Sequence, residues 1–305
     1  MNISQVALLL NAGLTVGACL ALNGCLPEDT RPPPSSVLVT ATADEAALNG
    51  IRSAATEDGW DISYDRLWLA LGRVQLGGSG CNAYSNATYV RLLNMQQPGP
   101  QKVSESYALG QCDLSFGISV LASDSPLGAN VSAPDLAFMR TAATDAFVGS
   151  EAMTAYVEGH AVKQNVTKQF AWAFRGRFAF SACATATLPQ TFTLPQSGSQ
   201  TIDLRIRGEA LFQDQLDTAA ATLRFDPLAD ADSKSGDNDG RITLDELAHV
   251  PLTSLSDLGY AAASGGAVPW QTLGDYVYFG AFPSMVSFGD GGTCTVRFGD
   301  DGGAR

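Results

Sequence analysis

Carboxylates alternate with other residues at the start of Asp237-Asn238-Asp239-Gly240-Arg241-Ile242-Thr243-Leu244-Asp245-Glu246-Leu247, and nothing else in the chain speaks as clearly. Asp237 and Asp239 stand two apart, a glycine that permits a sharp turn follows, and Glu246 comes six residues after that glycine. Carboxylates at alternate positions, a backbone carbonyl beyond the glycine and a closing glutamate form an all-oxygen donor set. Such a set suits a hard cation, calcium first among them. With Gly240 as the sixth position of a loop, Asp237 and Asp239 are third and fifth, the Arg241 carbonyl is seventh, Thr243 ninth and Glu246 twelfth. Ile242, at the eighth, would pin such a loop to a core.

That register resembles EF-hand and dockerin-like calcium loops over about a dozen of the 305 residues. The resemblance implies bound calcium with Glu246 as the bidentate closing ligand. It departs from the family at the first ligand, where Ser235 stands in place of the usual aspartate. Upstream lies Asp230-Ala231-Asp232-Ser233-Lys234-Ser235-Gly236, so a lengthened loop, spanning about 230–247, would bring Asp232 or Asp230 into that place. The competing reading is an acidic surface turn before a helix, with Thr243 as N-cap and Glu246 completing a capping box.

The elements around this stretch are predominantly short strands. Residues 37–41 read as the first strand and 44–55 as an alanine-rich helix or loop. Trp60, Ile62 and Tyr64 alternate with polar residues; after a change of phase Leu67, Leu69 and Leu71 do the same, up to a turn at Gly77-Gly78-Ser79-Gly80. Cys112, Leu114, Phe116, Ile118 and Val120 share one face, so Cys112 points inward. Ser132 caps a short helix. Phe170, Trp172 and Phe174 share a face after a turn at Lys163-Gln164-Asn165, and an aromatic stripe at spacing two is sheet core. Residues 219–225 read as a helical lead into the acidic loop and 243–249 as its exit helix; Val286 and Phe288 face Cys294, Val296 and Phe298 in a hairpin. The sum is a mainly β chain, an antiparallel β-sandwich with a few short helices and the acidic loop inserted at its rim.

The N-terminus supplies an address. Residues 1–24 carry no Lys, Arg, Asp or Glu, and an interrupted apolar run ends in Leu22-Asn23-Gly24-Cys25. This resembles a bacterial lipoprotein signal peptide, cleaved before a lipidated Cys25, although it lacks the usual basic start. An overlapping match, Val16-Gly17-Ala18-Cys19, is followed by further apolar residues and suits cleavage less. Leu26-Pro27-Glu28-Asp29-Thr30-Arg31-Pro32-Pro33-Pro34-Ser35-Ser36 then reads as a tether of roughly 30 Å, at about 3 Å per residue. The expected plan is therefore a signal over 1–24, a tether over 25–36 and one domain over 37–305, exported and held at a membrane by its lipid.

Export makes Cys81, Cys112, Cys183 and Cys294 candidates for two disulfides. Three connectivities are open; Cys81–Cys112 with Cys183–Cys294 is favoured because strands close in sequence tend to pair. A net charge of −13 argues against nucleic acid as a partner and leaves a protein or glycan partner open. No nucleophile elbow, phosphate-binding glycine loop or paired-histidine metal motif is present, which favours a non-enzymatic role. Two alternatives stand beside it: a hydrolase built on carboxylates, which have no fixed spacing, and a periplasmic copper binder. The segment 61–76 before a cysteine loop faintly resembles exported four-cysteine copper proteins, with His160 and His249 as the imidazoles at hand.

Lipid anchoring is checked directly. Cys25→Ser should move the protein from the membrane to the soluble fraction with an unacylated N-terminus. An intact mass of the wild type that still includes residues 1–24 would contradict it.

Overall fold

The computed structural model describes residues 33–216, 219–261 and 269–299. The signal, Cys19, Cys25 and most of the tether lie outside them. The first strand, β1 (Ser35–Ala43), begins two residues before the expected start, and Ser35, taken from sequence as tether, is fully buried there. Eleven further strands follow: β2 (Asp61–Ser85), β3 (Ala87–Asn94), β4 (Gln101–Ile118), β5 (Ala155–Lys163), β6 (Val166–Phe174), β7 (Phe178–Ala184), β8 (Thr191–Leu194), β9 (Ser199–Ile206), β10 (Arg241–Ile242), β11 (Val286–Phe288) and β12 (Thr293–Phe298).

Hydrogen bonds join all twelve into one mixed sheet ordered β10-β6-β5-β2-β4-β1-β9-β11, with β3 added on β2, β7 and β8 on β4, and β12 on β7. The expected antiparallel pattern holds for most neighbours. It fails at two pairings, β1 with β9 and β10 with β6, which are parallel.

The long strand β2 explains the change of phase in its sequence. Its ladder with β5 slips between Tyr64 and Arg66, so one extra residue switches the inward set from Ile62 and Tyr64 to Leu67, Leu69 and Leu71. The glycines expected to make a turn at 77–80 instead form another slip, between Gly77 and Gly80 against β4, and the strand runs on to Ser85. Glycine lowers the cost of a bulge as readily as that of a turn. Where β2 is central it is buried on both sides: Leu67, Leu69 and Leu71 enter the main core, Trp68 and Ala70 a smaller cluster with Leu136 and Met139. Those last two belong to the expected helix, α2 (Ala133–Met139), whose Ser132 and Asp135 form a reciprocal cap. The residues 44–55 contain α1 (Glu45–Asn49), capped by Asp44.

The aromatic stripe is core, as its spacing predicts: Phe170, Trp172 and Phe174 are fully buried among Phe212, Phe225 and Phe282. Two expected elements differ. Residues 219–225 are not helical; the helix there, α3 (Asp226–Asp230), starts only after Asp58 Oδ2 has accepted hydrogen bonds from Phe225 N and Asp226 N, both at 2.6 Å, with Pro227 in its first turn. Nor do β11 and β12 make a hairpin. Beyond a bridge from Phe288 to Gly292, β11 pairs with β9 and β12 with β7, where Phe298 meets Phe178 and Cys294 is tied to Cys183.

Two disulfides are formed, Cys81–Cys112 and Cys183–Cys294, with sequence separations of 31 and 111. Cys112 is fully buried, as its face predicts. Among the described residues no helix is long and apolar enough to cross a membrane. Cys183→Ala/Cys294→Ala should cost about 2–5 kcal/mol in urea unfolding, and about 1 kcal/mol more than Cys81→Ala/Cys112→Ala because it frees the longer loop. Equal costs for the two would contradict the chain-entropy account. Two or more thiols labelled in unreduced, denatured protein lacking residues 1–25 would contradict the bridges themselves.

Candidate metal centre

The acidic stretch is held between two short helices and pinned at its middle. After α3 the chain makes a wider, π-helical turn over Ala231–Ser235, crosses an exposed bend, enters β10 and ends in α4 (Leu244–Leu247). The expected exit helix is thus present, as about one turn ahead of Pro251. Ile242 is fully buried, its strand partner is Phe170, and its carbonyl accepts a hydrogen bond from Trp172 Nε1 at 3.1 Å. The Gly240 carbonyl accepts from Gln169 N at 2.8 Å. A β-branched residue at the eighth position therefore anchors the loop to the aromatic core, as its spacing predicts.

Carboxylate oxygens of Asp232, Asp237 and Asp239 converge to within 4.8 Å of one another. Of the two residues expected at the start of the loop, Asp232 lies in the π turn and brings its carboxylate to those of Asp237 and Asp239, while Ser235 lines a cleft beside Asp237 and Asp239. Local hydrogen bonds set the arrangement. Asp237 Oδ1 accepts from Asp239 N at 3.2 Å, Asp239 Oδ1 from Arg241 N at 2.7 Å, and Asp232 Oδ1 from Gly240 N at 3.3 Å. Gly240 has φ 87°, which a residue with a side chain adopts only at a cost. Asp230 points elsewhere, to Lys234 on the surface at 2.8 Å.

Glu246 lines that cleft with Asp237 and Asp239, together with Ser235, Arg241, Thr243 and His249. Its Oε2 accepts from Thr243 N at 2.8 Å and from Thr243 Oγ1 at 3.0 Å, the capping box anticipated as the competing reading. Its Oε1 lies against Gly236, where an added Cβ would meet it at 1.9 Å. The residue expected from sequence to close the loop is thus the one that caps the exit helix, because the ninth and twelfth positions of that register are also the N-cap and third residue of the helix.

Two participants are not evident in the loop itself. Gly236 makes room for the Glu246 carboxylate. Lys168, on β6, donates from Nζ to Asp232 Oδ2, and both are buried, Asp232 at 0% exposure and Lys168 at 8%. Strand alternation carries the signal for Lys168: it lies on the face of Phe170, Trp172 and Phe174, and an inward lysine requires a buried acid.

His160 lies outside this cleft, and His249 lines it without joining the three aspartates. His160 Nδ1 faces Asp65 Oδ2 at 3.2 Å and His249 Nδ1 the Asp245 carbonyl at 2.8 Å; among the described residues neither joins a converging ligand group. The close carboxyl pair Asp44 and Glu209 has structural duties. Asp44 Oδ1 accepts from Ala47 N and Gly208 N, while burial, with Asp44 beside it, pushes the Glu209 carboxyl above its usual range. No protein-family model, curated protein or solved structure matches this chain.

Lys168→Met should cost about 3–5 kcal/mol in chelator, because Asp232 is then left buried and charged without its partner. Lys168→Met/Asp232→Leu should recover much of that loss. Urea unfolding of both variants measures it; a single variant within about 1 kcal/mol of wild type would show that the pair is not buried as described.

Proposed function

We propose that this chain is a non-enzymatic calcium-binding lipoprotein of a bacterial envelope, in which the loop over 232–246 binds one calcium ion as a structural clamp. The convergence of Asp232, Asp237 and Asp239 on one point carries the reading. The donor set fits: three carboxylates, the Arg241 carbonyl and Glu246 are hard oxygen donors, the chemistry calcium takes and softer metals do not favour. Asp237 and Asp239 are exposed and repel each other, so a divalent cation relieves their crowding while Lys168 offsets Asp232 from behind. By the same reading the sheet closes over its aromatic core as the two layers of a sandwich, the loop lies at its rim, and the lipid on Cys25 holds the domain off a membrane.

An ammonium already on the first ligand and an exposed remainder argue for an affinity of the extracellular kind, with a dissociation constant on the order of 0.1–1 mM. Calcium at about 2 mM then adds roughly 0.6–2 kcal/mol to stability by mass action. Thermal unfolding after chelation, with and without added calcium, should show that rise. Glu246→Gln should remove most of it and leave the calcium-free melting point nearly unchanged, since glutamine also serves in the capping box. Magnesium should substitute poorly. Equal melting temperatures up to several millimolar calcium would reduce this stretch to a helix cap.

A further inference from the structure

A second charged cleft lies on another part of the sheet, where β2, β4, β7 and β12 run side by side. Phe116, Ile118, Phe178 and Phe180 face the core there, so alternation turns Ser115 and Gly117 of β4, with Ser119 just beyond it, and Ala179 and Ser181 of β7, with Arg177 just before it, the other way. Gly117 sits beside Ala179, and Ala179 beside Arg297 of β12. Residues with little or no side chain therefore make the floor of a cleft of ≈ 200 Å³, and Arg73, Arg177 and Arg297 rise around it.

The sign of this cleft runs against the rest of the molecule. The chain has 31 Asp and Glu against 18 Lys and Arg, yet three arginines line the cleft, and no acidic residue does among the described residues. Arg177 also reaches Glu151 at 3.1 Å, outside the lining; Arg297 makes no ion pair among the described residues. Arg73 is placed by a distortion of the sheet. Arg73 and Val74 together oppose Phe116 in the ladder, and Arg73 adopts φ 54°. A left-handed arginine inside a strand persists only where its surroundings fix it, and a bulge of this kind re-aims a side chain.

The geometry points to a binding site for a small tetrahedral oxyanion, a phosphate or sulfate group, free or carried as an ester. Guanidinium forks match such oxyanions with paired charge-assisted hydrogen bonds, and the hydroxyls of Ser115, Ser119 and Ser181 are further donors along the floor. Chloride, which offers no fork to match, is the natural control. The site is independent of the acidic loop, so it is tested with calcium removed.

The experiment is isothermal titration of the full mature protein in chelator with inorganic phosphate and with glycerol phosphate, at ionic strength held constant by chloride. The expected result is saturable one-to-one binding, weakened about tenfold in Arg297→Gln and more in Arg73→Gln/Arg297→Gln. Arg140→Gln, on another part of the chain, should bind as wild type does. Tighter binding of the ester would assign an ester-borne group as the ligand, and equal affinity the free anion. Arg297 is exposed on the last described strand, so its variant keeps the test valid if Arg73→Gln folds poorly. No saturable heat with either probe, or unchanged affinity in a folded Arg297→Gln, would overturn the site.

Discussion

One face of β6 holds the rest of the candidate centre in place. Phe170, Trp172 and Phe174 on that face pack into the aromatic core, and the next inward residue toward the strand's start is Lys168. From this face come the indole hydrogen bond to the Ile242 carbonyl, the two-residue ladder with β10 and the ammonium on Asp232. The acidic loop is exposed over most of its length and has few contacts of its own to order it. Because its middle and its first carboxylate are both tied to β6, an otherwise self-repelling segment keeps three aspartates around one point.

Lys168 shapes the chemistry as well as the fold. A buried carboxylate costs several kcal/mol unless a partner neutralises it, and the lysine supplies that partner without a metal. The site therefore has part of its charge balance built in. On the proposed reading a divalent ion would add to it by relieving the two exposed aspartates, a smaller gain than in a loop whose every carboxylate is uncompensated. The π turn after α3 belongs to the same solution. It lengthens the approach so that Asp232 brings its carboxylate to those of Asp237 and Asp239.

Much of this was legible in the residues. The Gly240, Ile242 and Glu246 register located the turn, the buried anchor and the exit helix, because each depends on local geometry alone. Period-two alternation gave the strands, and the phase change near Tyr64 marked a bulge. Three things were hidden for physical reasons. The glycines at 77–80 suit a turn and a bulge equally, and only the pairing with β4 decides between them. The last two strands have hairpin spacing, but long-range contacts with β7 and β9 override it. The parallel pairing of β1 with β9 joins segments about 160 residues apart, which no local pattern encodes.

The most direct test of the account is a crystal structure of the protein grown in millimolar calcium, with anomalous data collected to locate the ion. One anomalous peak is predicted, within coordination distance of Asp232, Asp237, Asp239, the Arg241 carbonyl and Glu246. Absence of that peak at saturating calcium, with Lys168 still on Asp232 and Glu246 only capping its helix, would contradict it.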